Sequence, residues 1–262
     1  MNFSDTFRGI ESSPGISKLQ ITEDCLQGHS CFGGLQAALA VHAMRTLVDA
    51  SLPLRSLQMT FLAPVPPSLI EARAQVLRTG KSATHVAAQL LLDGAVLAVL
   101  VGVFGSARQS AVSRTPAQRK RESHASTALG ASSTGQAPSF MQHFDLRWSR
   151  GSQPFSGETL DDMVVMISLR ESGPITEGHV ITIADVIPPV ALSKFTHPVA
   201  GSSMTWMLEL LRHDFEQMDL TGWRVEAEMD AAMDGYTSQS ARIFAPDGAP
   251  VAISRQSMVV FG

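Results

Sequence analysis

Asp93-Gly94-Ala95-Val96-Leu97-Ala98 and Asp247-Gly248-Ala249-Pro250-Val251-Ala252 are two versions of one stretch. Each sets an Asp-Gly turn ahead of a hydrophobic run, and Asp-Gly is favoured in tight hairpins because both central residues take positive φ. Another glycine turn precedes each, Thr79-Gly80 in the first case and Asp234-Gly235 in the second, at glycine spacings of 14 and 13 residues. Both hydrophobic runs end in Val-Phe-Gly.

The order of signals repeats outward from these turns. In the first half a strand candidate at Ser17–Thr22 precedes a glycine-led apolar stretch, Gly33–Val48, long enough for a helix. Strand candidates follow at Ser56–Ala63, Leu69–Arg78, Ser82–Leu92 and Ala95–Phe104. In the second half the strand candidates Phe140–Trp148 and Asp162–Arg170 lead to a helix candidate at about Thr176–Leu192. Strand candidates Met204–Leu211, Arg224–Ala232, Ser238–Phe244 and Pro250–Phe261 complete it. This is a divergent internal duplication, each unit a strand, a helix and four antiparallel strands. Helix Leu35–Val48 has only Gln36, His42 and Arg45 as strongly polar members. A helix apolar on most sides is buried on most sides, so the expected class is α+β, two antiparallel sheets each wrapped around a central helix. Arg108–Pro138 is Ser-, Ala-, Thr-, Gln- and Gly-rich without an aromatic, its charge concentrated at Arg119-Lys120-Arg121-Glu122. Such a composition does not repay ordering, so a flexible linker over 108–138 is expected between domains at 1–107 and 139–262.

The chain of 262 residues is 44% hydrophobic, only 17% charged and has a net charge of −4. That balance argues against a nucleic-acid coat, which needs a basic field. The longest apolar run, Ala95–Phe104, is too short for the ~20 residues of a bilayer span, and the start has an acid at Asp5 and no apolar signal core. A soluble, cytoplasmic protein is the expectation. Cys25 and Cys31 do not have a CxxC spacing, and the histidines form no HxH or HExxH, so neither metal nor cofactor is expected. No G-x-S-x-G elbow, Walker lysine or dinucleotide fingerprint occurs.

A few polar residues interrupt apolar segments. Asp185 is the only charged residue of Val180–Val190, and a lone carboxylate there must be partnered or shifted in pKa. It is either a satisfied buried acid, a cap, or a chemical group. Gln256 interrupts the apolar strand Pro250–Phe261, either as an exposed position or as a functional amide. Gly33-Gly34 opens the first helix candidate, where backbone N–H groups and the dipole favour an anion, or is simply a turn.

These residues and spacings resemble the hotdog fold, and their tandem arrangement is similar to the double-hotdog acyl-CoA thioesterases, including bacterial acyl-CoA thioesterase II. The resembling motifs are Gly28-His29-Ser30 with Gly33-Gly34, Ser56–Pro64, Arg78-Thr79-Gly80-Lys81-Ser82, Ala184–Pro189, Ser202–Trp206, Asp234-Gly235-Tyr236 and Ala252–Gln256; Ala63 stands where the family usually has Arg. The resemblance implies hydrolysis of acyl-CoA to free acid and CoA by an activated water, with CoA part of the substrate and no separate cofactor. The family's water-activating trio of acid, hydroxyl and amide falls by position on Asp185, Ser203 and Gln256, with Ser202 and Thr205 competing for the hydroxyl. Gly33 and Gly34 would offer oxyanion N–H groups. The first helix has no carboxylate, and Gly102 stands where Gln256 does after the Asp-Gly turn, so one site per chain is expected. A hotdog protein that binds acyl-CoA without catalysis is the rival reading, because fold does not fix function. Open sheet edges also make a homo-oligomer plausible.

Overall fold

A computed structural model describes residues 2–118, 127–128 and 137–262 of the chain. The first half runs α1 (Phe3–Arg8), β1 (Glu11–Ser13), β2 (Ile16–Gln20), β3 (Leu26–Gln27), β4 (Ser30–Cys31), α2 (Gly33–Arg45), β5 (Leu54–Phe61), β6 (Leu69–Thr79), β7 (Ala83–Leu92) and β8 (Ala95–Gly105). A short strand, β9 (Thr127–Ala128), precedes the second half. That half comprises β10 (Phe144–Arg150), β11 (Asp162–Leu169), α3 (Glu177–Asp185), β12 (Ala200–Leu210), β13 (Trp223–Met233), β14 (Tyr236–Phe244) and β15 (Pro250–Phe261).

The duplication is visible in the pairing. Strands β2-β6-β7-β8-β5 lie in that order, and β11-β13-β14-β15-β12 repeat it in the second half. Asp93 and Asp234 take positive φ at their turns, as do Gly94, Gly235 and Gly248. The expected pair of separate sheets is corrected: β5 and β12, the inner edges of the two halves, pair antiparallel, giving one 13-stranded sheet. Met59 lies opposite Trp206 and Leu57 opposite Leu208, all four buried. Two open edges would otherwise leave backbone N–H and C=O groups unpaired, and their apolar inner faces join into one core.

Helix α2 packs against β2, β6, β7 and β8 on one side and against α3 on the other, which is why it is apolar nearly all round. The two helices run antiparallel. Arg45, at the end of α2, donates to both Glu177 carboxylate oxygens at the start of α3, at 2.9 and 2.6 Å. Helix α3 is shorter than expected, because Pro188 and Pro189 prevent its continuation; Val190–Lys194 forms a separate 3₁₀ turn. Ser139–His143 is likewise a 3₁₀ turn rather than the start of a strand, and it stacks Phe140 on Phe32 with centroids 4.2 Å apart.

Within the expected linker, residues 108–118 have no helix or strand and are almost all exposed. Residues 119–126 and 129–136, including Arg119-Lys120-Arg121-Glu122, lie outside the described residues. Thr127–Ala128 pair with β10. No helix among the described residues is long and apolar enough to cross a membrane.

A Cβ at Gly34 would sit 2.9 Å from the Thr182 Cα and 2.7 Å from the Phe32 ring. On helix propensity alone Gly34→Ala should stabilise by about 1 kcal/mol. Since the Thr182 backbone cannot step aside, the expected outcome in urea denaturation is instead a loss on the order of 2 kcal/mol. A stabilised variant would contradict the close helix contact.

Candidate active site

Asp185 is the last residue of α3, and the antiparallel arrangement sets it against the first turn of α2. The end of its own helix disfavours a carboxylate, while the N-terminus of α2 favours one. A Cβ at Gly33 would come within 2.7 Å of Asp185 Oδ2, so only glycine admits the carboxylate there. Within that turn the Phe32 carbonyl accepts from the Leu35 and Gln36 N–H groups, at 3.1 and 3.2 Å. The Gly34 N–H, one of the two expected to receive an oxyanion, also lies near enough to the Asp185 carboxylate to favour its charged form.

The sheet contributes the facing group. Gln256 lies near the middle of β15, buried, and its Nε2 donates a short hydrogen bond to Asp185 Oδ1. Strand alternation explains the inward position, since Gln256 shares a face with Ser254 and Met258, both buried. Burial pushes the Asp185 carboxyl up from 3.8 to about 7, against the opposing pull of the Gln256 amide and the Gly34 N–H.

The structure thus brings Asp185, Gln256, Gly33 and Gly34 together. Ser203 is placed by register. It lies opposite Met258, two residues from Gln256, and therefore on the same inner face. A bulge at Met204 separates it from Thr205, which lies opposite Ser257; Ser202 lies opposite Val259. Both competitors therefore belong to the other face. No hydrogen bond joins the Ser203 hydroxyl to Asp185 or Gln256 among the described residues.

Sequence reading missed Gln239. On β14 it lies directly opposite Gln256 and is buried. Its Oε1 accepts from the Val190 N–H at 2.9 Å, and its Nε2 donates to Gln256 Oε1 at 3.5 Å. The available signal was its phase: it alternates with Thr237, Ala241 and Ile243, all buried. Thr237, next on that face, has a buried hydroxyl without a hydrogen-bond partner among the described residues.

The opposite end of the helix pair differs. A cavity of about 580 Å³ opens there among Phe7, Val41, Arg45 and Glu177. Arg45 is tied to Glu177, and Gly102, matching Gln256, has no room for a side chain because a Cβ would meet Met44 Sδ at 2.7 Å. Elsewhere, Asp24, Cys25 and His143 bring ligand atoms within 4.8 Å of one another. Burial raises the Cys25 thiol, which favours the neutral form over a metal-binding thiolate.

Tandem repeats sharing one sheet, two antiparallel buried helices, and an acid–amide pair between helix end and sheet define a double-hotdog architecture. Family comparison agrees. The model of the acyl-CoA thioesterase N-terminal domain matches residues 21–105, and that of the acyl-CoA thioesterase C-terminal domain matches residues 115–260. The chain belongs to the acyl-CoA thioesterase family. No curated protein sequence matches it. Among solved structures, a conserved protein of unknown function with hot dog fold from Alicyclobacillus acidocaldarius superposes with a TM-score of 0.87 at 19% identity, covering 100% of this chain and 99% of that one. The tesB protein of Mycobacterium avium subs paratuberculosis gives 0.77 at 15%, covering 100% of both chains. Acyl-CoA thioesterase II TesB2 from Mycobacterium marinum gives 0.71 at 16%, covering 96% of this chain and 95% of that one. At these identities the likeness is one of fold.

The raised carboxyl has a consequence for stability. Titrating near 7 when folded and near 3.8 when unfolded, Asp185 holds extra proton in the folded state between those values. Stability therefore falls as pH rises through that window. Asp185→Asn removes this loss, so its melting temperature relative to the parent chain should be higher at pH 8 than at pH 5. A difference that stays flat with pH would exclude the raised carboxyl.

Proposed function

We propose that the protein hydrolyses acyl-CoA thioesters to a free acid and CoA, with Asp185 as general base toward water. The observation that supports this reading best is the Asp185 carboxylate set against Gly33 at the first turn of α2 and hydrogen-bonded by Gln256, a setting in which burial pushes the carboxyl up to about 7. A base with a pKa near the working pH combines a populated charged form with real basicity.

In this reading a water beside Asp185 attacks the thioester carbonyl carbon. Its proton passes to the Asp185 carboxylate as the new C–O bond forms, and the carbonyl oxygen takes up the negative charge. Gly33 and Gly34 at the α2 N-terminus are the residues whose N–H groups we assign to that charge, which the helix dipole favours. Collapse of the tetrahedral species breaks the C–S bond, and the thiolate takes the proton from Asp185. Gln256 holds the base, and Ser203 on the same face is the hydroxyl assigned to position the water. No covalent acyl-enzyme or metal is required. The cytoplasm is the compartment proposed for this activity.

The test is thiol release from acyl-CoAs of graded chain length. The parent chain should show activity that rises with pH and levels off above about 7, the value of the base. Asp185→Asn should lower kcat by about 10²–10⁴-fold, the usual range for a lost general base. Equal rates in the two proteins would remove Asp185 from the mechanism. Retained acyl-CoA binding with no thiol release at any chain length would establish the non-catalytic binding protein instead.

A further inference from the structure

We propose that Gln239 is a positioning residue: it sets the direction of the Gln256 side-chain amide, so that the NH₂ group and not the carbonyl faces Asp185. This rests on the hydrolytic reading only for its meaning in catalysis; the geometry stands without it.

A glutamine side chain presents a donor and an acceptor of nearly equal size, and either end fits the same space. Beside a carboxylate the two directions are opposite in effect. The NH₂ end stabilises the charged base, whereas the carbonyl end repels it and favours the protonated acid. Something must choose, and the choice can be followed back to a group without ambiguity. The Val190 N–H is a backbone donor and can only donate. It meets Gln239 Oε1 at 2.9 Å, which turns the Gln239 NH₂ toward β15. That NH₂ donates to Gln256 Oε1, the longest link at 3.5 Å. The Gln256 carbonyl is thereby engaged on the sheet side, and its NH₂ points at Asp185 Oδ1.

The arrangement closes on itself. Val190 lies just beyond Pro188-Pro189 on the segment that leaves Asp185, so the same stretch carries the base and the donor that orients its amide partner. Both glutamines are buried, at 4% and 6% exposure. Water therefore competes poorly for either amide, and chains of hydrogen bonds in such surroundings polarise one another. Direct opposition on neighbouring strands makes the pair geometrically stiff.

Two substitutions separate direction from packing. Gln239→Glu retains an acceptor for Val190 but, when ionised, has no proton to give Gln256; the Gln256 amide should then turn its carbonyl to Asp185. Gln239→Leu removes both links and leaves the Gln256 amide free to turn. The measurement is the Asp185 carboxyl titration by ¹³C NMR with labelled aspartate, read beside the pH profile of kcat/KM and the melting temperature. In both variants the titration should move upward. An upward move of one unit leaves about tenfold less ionised base below the parent pKa, and kcat/KM in that pH range should fall accordingly. Gln239→Asn, with the same two groups on a shorter stem, should restore part of the shift. If both Glu and Leu variants titrate like the parent, with only the melting temperature changed, Gln239 is structural and the proposal fails. If the carboxyl moves as expected but no variant, including the parent, releases thiol, the positioning role stands and the hydrolytic reading fails.

Discussion

Gly33 and Gly34 let the first turn of α2 lie directly against the end of α3, and the candidate site depends on that approach. A side chain at Gly33 would occupy the space of the Asp185 carboxylate, and one at Gly34 would press on the Thr182 backbone. The same contact explains the electrostatics. Asp185 stands at the unfavourable end of its own helix and at the favourable end of its neighbour, in a setting where burial drives the carboxyl up to about 7 and two donors restrain it. At the far end the Arg45–Glu177 pair fixes the antiparallel alignment, so the two helix ends are held in register by unlike interactions.

The shared sheet serves this contact. Pairing β5 with β12 removes the inner edges of both halves and gives the two helices one continuous floor. It also fixes how each inward side chain on β15 is flanked: Gln256 lies between Trp206 on β12 and Gln239 on β14. The low charge of the chain follows from the same architecture. Two helices buried on nearly all sides leave few surface positions, so each inward polar side chain needs an account. Asp185, Gln256 and Gln239 account for one another through hydrogen bonds.

Sequence duplication did not produce duplicate sites. Repeated turns and strand order survive in both halves, but Gly102 and the Arg45–Glu177 pair stand where an amide and a free acid would be needed. Backbone geometry at an Asp-Gly turn constrains the residue locally, whatever the half. The chemistry of an inward position depends only on what faces it, and that has diverged.

Much was legible in the sequence because its causes are local. The Asp-Gly turns, the alternation of the strands, the apolar character of Gly33–Arg45 and the isolation of Asp185 and Gln256 among apolar residues all depend on neighbours in the chain. The end of α3 also had a local cause in Pro188-Pro189, yet the apolar run extended the expected helix to Leu192, past its end at Asp185. Tertiary structure alone decided the rest. Whether two edges join into one sheet depends on strands far apart in the chain, Leu54–Phe61 and Ala200–Leu210. The bulge at Met204, which assigns Ser203 and not Ser202 or Thr205 to the inner face, exists only in the register with β15. Gln239 looked like any strand glutamine until β14 lay beside β15. Sequence determines which side chains are polar, buried and in phase; only the paired sheet and the packed helices determine which of them meet, because hydrogen bonds require atoms at about 3 Å and not merely residues of the right kind.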